Sequence, residues 1–251
     1  MKNQDKWQAS KYIYKKGSLM ASRDPAEVGV GSRLIADLIA ACYDRNLRLY
    51  TGGRLLDLGC GKVPLFMSYK DLVTENICVD WANSQHKNEY LDFECDLSKA
   101  LPFADAEFNT IILSDVLEHL PEPESLWKEM TRILAADGKI IMNVPFFYCL
   151  HEQPHDYHRF TEHALRHLVA KSGLRLLRLE AIGGSPEILA DFLAKHLQFV
   201  PVLGKAMAIA IQYSVQLFLK TGIGKKVSAK TSQAFPLGYF MVVEKSAADS
   251  A

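Results

Sequence analysis

The sequence predicts an α/β fold in which helices cover both faces of a largely parallel sheet. Short apolar runs alternate along the chain with longer stretches whose apolar residues recur at helical spacing, and this alternation is typical of βαβ units. The composition agrees, because 49% of the 251 residues are hydrophobic and a chain of this length can bury one large core. One domain with an insertion is therefore expected.

Six short apolar runs are predicted to be strands. Strands that are apolar along their length are buried on both faces, as in a parallel sheet with helices above and below it. The runs cover residues 54–58, 76–80, 110–114, 139–144, 174–182 and 239–243.

Three amphipathic stretches are predicted to be helices. The first begins near Ser32 and precedes the first strand of the sheet. The second covers residues 123–134, and the Asp137-Gly138 pair is predicted to end it. Thr161 is a suitable N-cap for the third, because its side chain can accept a hydrogen bond from a free backbone N–H.

The domain organisation follows from what surrounds these elements. Residues 1–30 precede the alternating pattern and are predicted to form an N-terminal arm or lid. Residues 31–251 are predicted to form the main domain. Within it, residues 186–235 are helical in pattern and separate the last two strands, which makes them a helical insertion.

Charge and cysteine content exclude several classes of protein. Lysine plus arginine equals aspartate plus glutamate at 29 each, so no overall field attracts nucleic acid and no nucleic-acid partner is expected. The five cysteines include no C-x-x-C pair, which argues against a disulfide framework and a structural zinc ribbon. Because the first residues also lack the apolar run of a signal peptide, a cytoplasmic location is expected.

A glycine-containing turn after the first predicted strand is the strongest functional signal. The string Leu55 to Gly61 reads L-L-D-L-G-C-G, and two glycines at such a turn let the backbone approach a ligand closely. A dinucleotide fingerprint requires a third glycine three positions after the second, but Pro64 stands there and the bulky Val63 precedes it. The interpretation of this turn as a site for the pyrophosphate of a dinucleotide cofactor is therefore weakened.

Two further acids follow the next strands. Asp80 ends a strand nineteen residues after Gly61, where a carboxylate can accept hydrogen bonds from two ribose hydroxyls. Asp96 follows the next predicted strand, where it can accept from an adenine amino group. With Asp57, these acids form an ordered series at strand ends and predict a site for an adenosine-containing cofactor.

This series resembles the class I, Rossmann-like S-adenosylmethionine-dependent methyltransferases, and within them the broad type-11 group, over residues 54–183 and the terminal strand. The resemblance implies a seven-stranded, mainly parallel sheet whose last strand is antiparallel, with S-adenosylmethionine as the cofactor. Two positions depart from the family pattern, Val63 at the third glycine and Asn109 before the fourth strand. The cofactor-binding residues that the resemblance implies are Asp57, Gly59, Gly61, Asp80, Trp81, Asp96, Leu97 and Ser114.

The segment that follows the fifth strand, residues 143–161, carries the candidate catalytic residues. His151 or His155 is predicted to accept a proton from the methyl acceptor, with Asp156 orienting a histidine and Arg159 bracing the loop or meeting an anionic acceptor. Residues 151–155 also match H-E-x-x-H, but Pro154 disfavours the helix that this zinc motif requires. No metal ligand set is therefore predicted.

The acceptor itself is left open by the sequence. A segment similar to residues 151–161 recurs in bacterial methyltransferases linked to glycan or envelope biosynthesis, which implies a small-molecule, glycan or lipid-linked acceptor methylated at oxygen. Two alternatives remain, a non-catalytic S-adenosylmethionine-binding scaffold or regulatory subunit and a nicotinamide-dependent oxidoreductase. A measurement of turnover distinguishes the scaffold or regulatory subunit from a methyltransferase. A measurement of cofactor preference distinguishes the oxidoreductase.

Part of the insertion is unusually apolar. Residues 199–220 combine an apolar run with Lys220, and Lys225, Lys226 and Lys230 follow. The run is too short and too polar to span a bilayer. Three interpretations remain open: a cap over the substrate pocket, a homodimer face, or an interfacial helix that contacts the inner face of the cell membrane.

Overall fold

A seven-stranded sheet forms the centre of the protein in the computed structural model, which describes residues 1–82 and 89–246. A separate two-stranded hairpin precedes it. The strands are β1 (Tyr12–Lys15), β2 (Ser18–Ala21), β3 (Arg54–Leu58), β4 (Glu75–Asp80), β5 (Phe93–Glu94), β6 (Phe108–Ser114), β7 (Leu134–Pro145), β8 (Arg175–Ile182) and β9 (Gly238–Glu244).

The order of strands in the sheet is β5-β4-β3-β6-β7-β9-β8. The neighbours from β5 to β7 pair in parallel, whereas β9 pairs antiparallel with both β7 and β8. The predicted Rossmann-like sheet with an antiparallel last strand is confirmed. Because the chain runs outward from β3 to β5 and then returns to β6 beside β3, the strand order reverses there, and ligands of open α/β sheets bind at such a point.

Helices cover both faces of the sheet. On one face, α3 and α4 pack against the strands through buried residues that include Leu126, Met130 and Leu165. On the other, α1 and α2 contribute residues that include Tyr43 and Phe66. The helices are α1 (Arg33–Tyr50), α2 (Phe66–Tyr69), α3 (Pro123–Ile133), α4 (Glu162–Lys171), α5 (Ser185–Leu197), α6 (Gly204–Lys220) and α7 (Gly222–Thr231).

The predicted stop signal of one helix is wrong, although the helix ends within one residue of its predicted end. Helix α3 stops at Ile133, and Leu134 already pairs with Phe108 as the first residue of β7, so the Asp137-Gly138 pair lies inside a strand. The pair forms an irregularity in the register instead, and Asp137 donates its backbone N–H to the carbonyl of Lys245. The predicted cap of α4 is confirmed, because the Thr161 hydroxyl accepts from the backbone N–H of Ala164 at 3.1 Å.

The N-terminal residues pack on the edge where the strands end. Hairpin β1–β2 lies against α1, and the Ala21 N–H donates to the Asp37 carboxylate of that helix at 2.9 Å. The Trp7 indole N–H donates to the carbonyl of Val63 at 3.1 Å, which ties the arm to the glycine turn. The arm therefore contributes to the wall of the candidate site.

The insertion forms three helices that stack on the start of α1. Gln212 of α6 accepts from the Leu34 N–H at 2.8 Å and donates to the Val30 carbonyl at 2.7 Å, although it is almost fully buried. Gln198, after α5, accepts from the Gly31 N–H at 3.1 Å. These bonds fix the insertion to the main domain. Across residues 1–82 and 89–246, no helix has the length and apolar character needed to cross a membrane.

Candidate active site

Two cavities meet at the carboxyl edge of the sheet. The larger has a volume of about 620 Å³ and lies over the ends of β3, β4 and β6. The smaller has a volume of about 290 Å³ and lies between α1 and the end of β7. Three residues, Lys11, Asp115 and Glu152, line both cavities, so the two spaces are adjacent at these side chains.

The glycine turn after β3 forms the floor of the larger cavity. Gly59 and Gly61 have positive φ values of 67° and 50°, and a Cβ on Gly59 would lie 2.5 Å from Val116, so a larger residue does not fit there. Val63, the departure from the third glycine, keeps a positive φ of 51° with its side chain fully buried. The valine therefore keeps a left-handed conformation that glycine adopts more readily, and its carbonyl is the one held by Trp7.

The three strand-end acids lie in different environments. Asp57 is buried, which raises its pKa to about 7, although the Tyr69 hydroxyl donates to it at 3.2 Å. Asp80 accepts from the backbone N–H of Gly61 at 2.9 Å, so this carboxylate also fixes the glycine turn. Asp96 is exposed, and hydrogen bonds from Ser98 hold its pKa below the usual range. Asp96 lies two residues after the short strand β5, not at the end of a longer one.

All eight residues predicted to bind the cofactor line this larger cavity. They come from segments up to 57 positions apart in the chain and are brought together by the parallel strands. They are Asp57, Gly59, Gly61, Asp80, Trp81, Asp96, Leu97 and Ser114.

An ion pair that the sequence analysis missed lies where the cavities meet. Lys11 from the N-terminal arm contacts the Asp115 carboxylate at 3.0 Å, and Asp115 also accepts from the Asn143 side-chain amide at 2.5 Å. Burial opposes a charge on Lys11, but Asp115 more than compensates and raises the pKa of the lysine. The Asn143 amide oxygen accepts in turn from the Tyr43 hydroxyl at 2.8 Å and the Ser114 hydroxyl at 3.0 Å.

Three of the four predicted catalytic residues form one cluster in the loop after β7. Asp156 accepts two hydrogen bonds from the Arg159 guanidinium, at 2.6 and 2.8 Å, and one from the His151 backbone N–H at 3.0 Å. Arg159 is the main reason why the pKa of Asp156 lies well below its usual value. The His151 ring nitrogen Nδ1 lies 3.4 Å from the same carboxylate. Residues 151–155 are not helical, as the position of Pro154 predicts.

His155 lies apart from that cluster. Its ring packs edge-on against Trp81 with centroids 5.0 Å apart, and its Nδ1 lies 3.2 Å from the Tyr157 hydroxyl. His155 lines the larger cavity, whereas His151 lines the smaller one. The two histidines named as candidate proton acceptors are therefore on different sides of the junction.

A buried glutamate lies beneath His151. Glu118 has no exposed surface, and burial raises its pKa. Its Oε1 atom lies 3.7 Å from His151 Nε2, and burial alone would lower the pKa of His151, but Glu118 and Asp156 together raise it. No pattern in the sequence predicts a role for Glu118, which lies in the segment that follows β6.

Comparisons with known proteins agree with this geometry. A family model described as a methyltransferase domain matches residues 56–142. The ubiquinone biosynthesis O-methyltransferase of Parvibaculum lavamentivorans is 24% identical over 168 residues, which cover 57% of this chain and 66% of that protein. The demethylmenaquinone methyltransferase of Renibacterium salmoninarum is 26% identical over 115 residues, which cover 44% of this chain and 45% of that protein. The chain thus spans between about half and two thirds of the lengths of these relatives.

Solved structures share the fold at low sequence identity. A methyltransferase from Bacillus halodurans has a TM-score of 0.53 at 13% identity, covering 84% of this chain and 99% of that one. An S-adenosylmethionine-dependent methyltransferase from Archaeoglobus fulgidus has a TM-score of 0.54 at 15% identity, and the match covers 85% of this chain and 97% of that one. The family model thus identifies a methyltransferase domain in residues 56–142, and the solved structures show the Rossmann-like fold of class I S-adenosylmethionine-dependent methyltransferases. Together with the strand-end acids, the family model supports S-adenosylmethionine as the cofactor.

Proposed function

We propose that this protein transfers a methyl group from S-adenosylmethionine to an oxygen atom of an acceptor bound in the smaller cavity. The observation that carries the proposal is the junction of the two cavities at Lys11, Asp115 and Glu152. Methyl transfer requires the acceptor atom and the methyl carbon in line and in contact, and two adjoining cavities permit that arrangement.

The larger cavity suits the cofactor in size and chemistry. Its volume of about 620 Å³ is in the range of ordinary small-molecule sites. In this proposal Asp80 accepts from the ribose hydroxyls, Asp96 and Leu97 contact the adenine, and Gly59 and Gly61 allow close approach of the backbone. The bound cofactor supplies a methyl group on a positively charged sulfur. The remaining predicted contacts are Asp57, Trp81 and Ser114.

The smaller cavity suits an acceptor with apolar surface. Ile35 and Ile39 of α1 line it together with Ile182 and Leu237. Its polar lining includes the three residues at the junction. An apolar pocket with a few convergent polar groups is typical of a small-molecule site. One relative is named as an O-methyltransferase of ubiquinone biosynthesis, which supports oxygen as the methylated atom. A small-molecule or lipid-linked acceptor with apolar surface therefore fits this lining better than a glycan does.

Of the four predicted catalytic residues, His151 is the one to which we assign the action on the acceptor. A hydroxyl must lose its proton as it is methylated, and a polar group near the acceptor oxygen promotes that loss. His151 lines the acceptor cavity, and Asp156 and Arg159 hold the loop that carries it. In this proposal Asp156 and Arg159 are positioning residues, and His155 belongs to the cofactor side.

Transfer of a labelled methyl group tests the proposed function. Purified protein is incubated with methyl-labelled S-adenosylmethionine and fractions of a bacterial cell extract. We expect one fraction to accept label while S-adenosylhomocysteine forms in equal amount, and the label to be attached to oxygen in the product. Cofactor binding without transfer to any fraction would favour the scaffold alternative, and preferential binding of a nicotinamide dinucleotide would favour the oxidoreductase.

We further propose that the insertion contacts an anionic lipid surface, which suits a lipid-linked acceptor. Fifteen of the 23 exposed large hydrophobic side chains in the described part of the chain lie between residues 189 and 235, and the side chains of Phe199 and Val202 are 80% and 99% exposed. Residues 199–235 contain five lysines and no acidic residue. Each lysine near an anionic bilayer contributes about 1 kcal/mol to binding, and apolar side chains add to it.

Vesicle flotation tests this contact. We expect the protein to float with vesicles that contain anionic lipid and much less with neutral vesicles, because the lysines and the apolar side chains act together. The double variant Phe199→Ser/Val202→Ser should lose most of the binding. Leu49→Ser, which removes a side chain that is 65% exposed on α1, is the matched control and should bind as the wild type does. Lack of flotation together with a concentration-dependent dimer that the double variant abolishes would assign the surface to a second copy.

A further inference from the structure

Four side chains, those of Glu118, His119, His151 and Glu152, converge beneath the junction of the two cavities. Among the described residues, neither carboxylate oxygen of Glu118 has a hydrogen-bond partner, and the side chain has no exposed surface. The Nε2 atoms of His151 and His119 lie 3.7 and 3.9 Å from Glu118 Oε1. Glu152 Oε2 lies 3.9 Å from His119 Nε2.

The outer nitrogen of each histidine lies near an oxygen atom, but only that of His119 makes a hydrogen bond. His119 Nδ1 lies 2.6 Å from the carbonyl oxygen of His155, and because a carbonyl only accepts, this nitrogen carries the hydrogen. His151 Nδ1 lies 3.4 Å from the Asp156 carboxylate, which Arg159 fixes. A neutral His119 imidazole therefore directs the lone pair of Nε2 toward Glu118. A lone pair that faces a buried carboxylate repels it unless a proton or a metal ion lies between them.

We propose that Glu118, His119 and His151 bind a divalent transition-metal ion whose fourth coordination position, beside Glu152 at the mouth of the site, stays open. One ligand atom from each of the three ligands lies within 4.8 Å of the others. Ligands about 2.1 Å from a tetrahedral zinc ion are roughly 3.4 Å apart, so the observed distances need only small side-chain adjustments. Imidazole held through its second nitrogen by a carboxylate or carbonyl is the usual outer arrangement of a metal-binding histidine.

The ligand chemistry selects the kind of ion. Two imidazoles with a carboxylate favour zinc, iron or manganese over magnesium and calcium, which prefer oxygen ligands. This set differs from the H-E-x-x-H zinc motif that residues 151–155 match in sequence, because His155 points away to Trp81 and His119 takes the second imidazole position. The ligands come from two segments that are far apart in the chain, and no local motif predicts them.

The site also gives the ion a chemical role, which rests on the proposed function. His119 and Glu152 line the cofactor cavity and His151 and Glu152 line the acceptor cavity, so an open coordination position faces the junction. An acceptor hydroxyl bound there ionises more readily and releases its proton to solvent. Its oxygen then bonds to the methyl carbon, while the carbon–sulfur bond breaks and leaves its electron pair on sulfur. His151 thus acts on the acceptor as a metal ligand instead of taking the proton itself.

Zinc titration of untagged, chelator-stripped protein tests the site, with cobalt absorption as a second readout. We expect one zinc ion per chain. Glu118→Gln and His151→Ala should weaken zinc binding by about a hundredfold or more and abolish the visible cobalt bands. Asp156→Asn, which removes an outer partner, should weaken zinc binding about tenfold. His158→Ala, in the same loop, and Cys149→Ser, which removes an exposed thiol, are matched controls and should bind zinc as the wild type does.

Several outcomes would overturn the metal site. The site is contradicted if the wild-type protein takes up no zinc. It is also contradicted if the Glu118→Gln and His151→Ala variants fold and still bind zinc as tightly as the wild type does. If Glu118→Gln does not fold, His119→Gln replaces it. Chelation should lower methyl transfer at least tenfold without changing affinity for S-adenosylhomocysteine, and zinc should restore it. Full transfer by the chelated protein would overturn the metal's role and leave the proposed function intact, whereas zinc binding without any methyl transfer would support the metal site and contradict the proposed function.

Discussion

Replacement of Asp80 by alanine is expected to weaken binding of S-adenosylhomocysteine by about a hundredfold or more. Asp80 is 8% exposed and ends β4 at the wall of the larger cavity. A hydrogen bond to a charged group contributes about 1.5–3 kcal/mol, and two ribose hydroxyls can bond to one carboxylate. A loss of about 2.7 kcal/mol corresponds to a hundredfold change in affinity. Isothermal calorimetry with ligand-stripped protein measures it.

Two further variants separate the cofactor contact from a folding defect. Asp80 also accepts from Gly61 at 2.9 Å, so its loss loosens the glycine turn. Asp80→Asn keeps one acceptor oxygen and should lose less affinity than Asp80→Ala. Asp105→Asn removes an acid with 80% side-chain exposure outside both cavities and should bind as the wild type does. Affinity equal to that of the wild type in a folded Asp80→Ala protein would contradict the assignment of the ribose acid.

The cofactor side of the site could be predicted because its signals are local. Asp57 lies one residue before the end of a short apolar run and Asp80 ends another, so each acid marks the carboxyl end of a buried strand. Parallel strands present their carboxyl ends at one edge, so correct strands imply a shared site. Ser114, which the family resemblance implied, ends β6 at the same edge. This explains why all the predicted contacts line one cavity although each was identified in its own segment.

The acceptor side could not be predicted in the same way, because its contacts join distant segments. Lys11 meets Asp115 across 104 positions, and nothing near Lys11 in the sequence indicates that partner. Glu118 and His151 lie 33 positions apart, and only the path of the loop after β7 brings them together. The stop signal of α3 was mispredicted for a related reason. The pairing of Leu134 with Phe108 in the sheet overrides the turn signal of the Asp137-Gly138 pair.

Replacement of His151 by alanine is expected to lower turnover on the true acceptor by about a hundredfold or more, while affinity for S-adenosylhomocysteine stays near that of the wild type. The imidazole lines the acceptor cavity and does not line the cofactor cavity. Loss of a group that assists proton removal costs about a hundredfold to ten-thousandfold in rate. Transfer of labelled methyl to the accepting extract fraction measures turnover, and calorimetry measures affinity.

The matched control is His155→Ala, in the same loop and four residues away. Its ring packs on Trp81 in the cofactor cavity, so its loss should act mainly on cofactor affinity and leave most of the turnover at saturating S-adenosylmethionine. If the two cavities hold the acceptor and the cofactor separately, His151→Ala lowers mainly the rate of transfer and His155→Ala lowers mainly the affinity for the cofactor. Equal turnover in both variants would discard His151 as the residue that acts on the acceptor, because two side chains on opposite sides of the junction cannot assist the same oxygen equally.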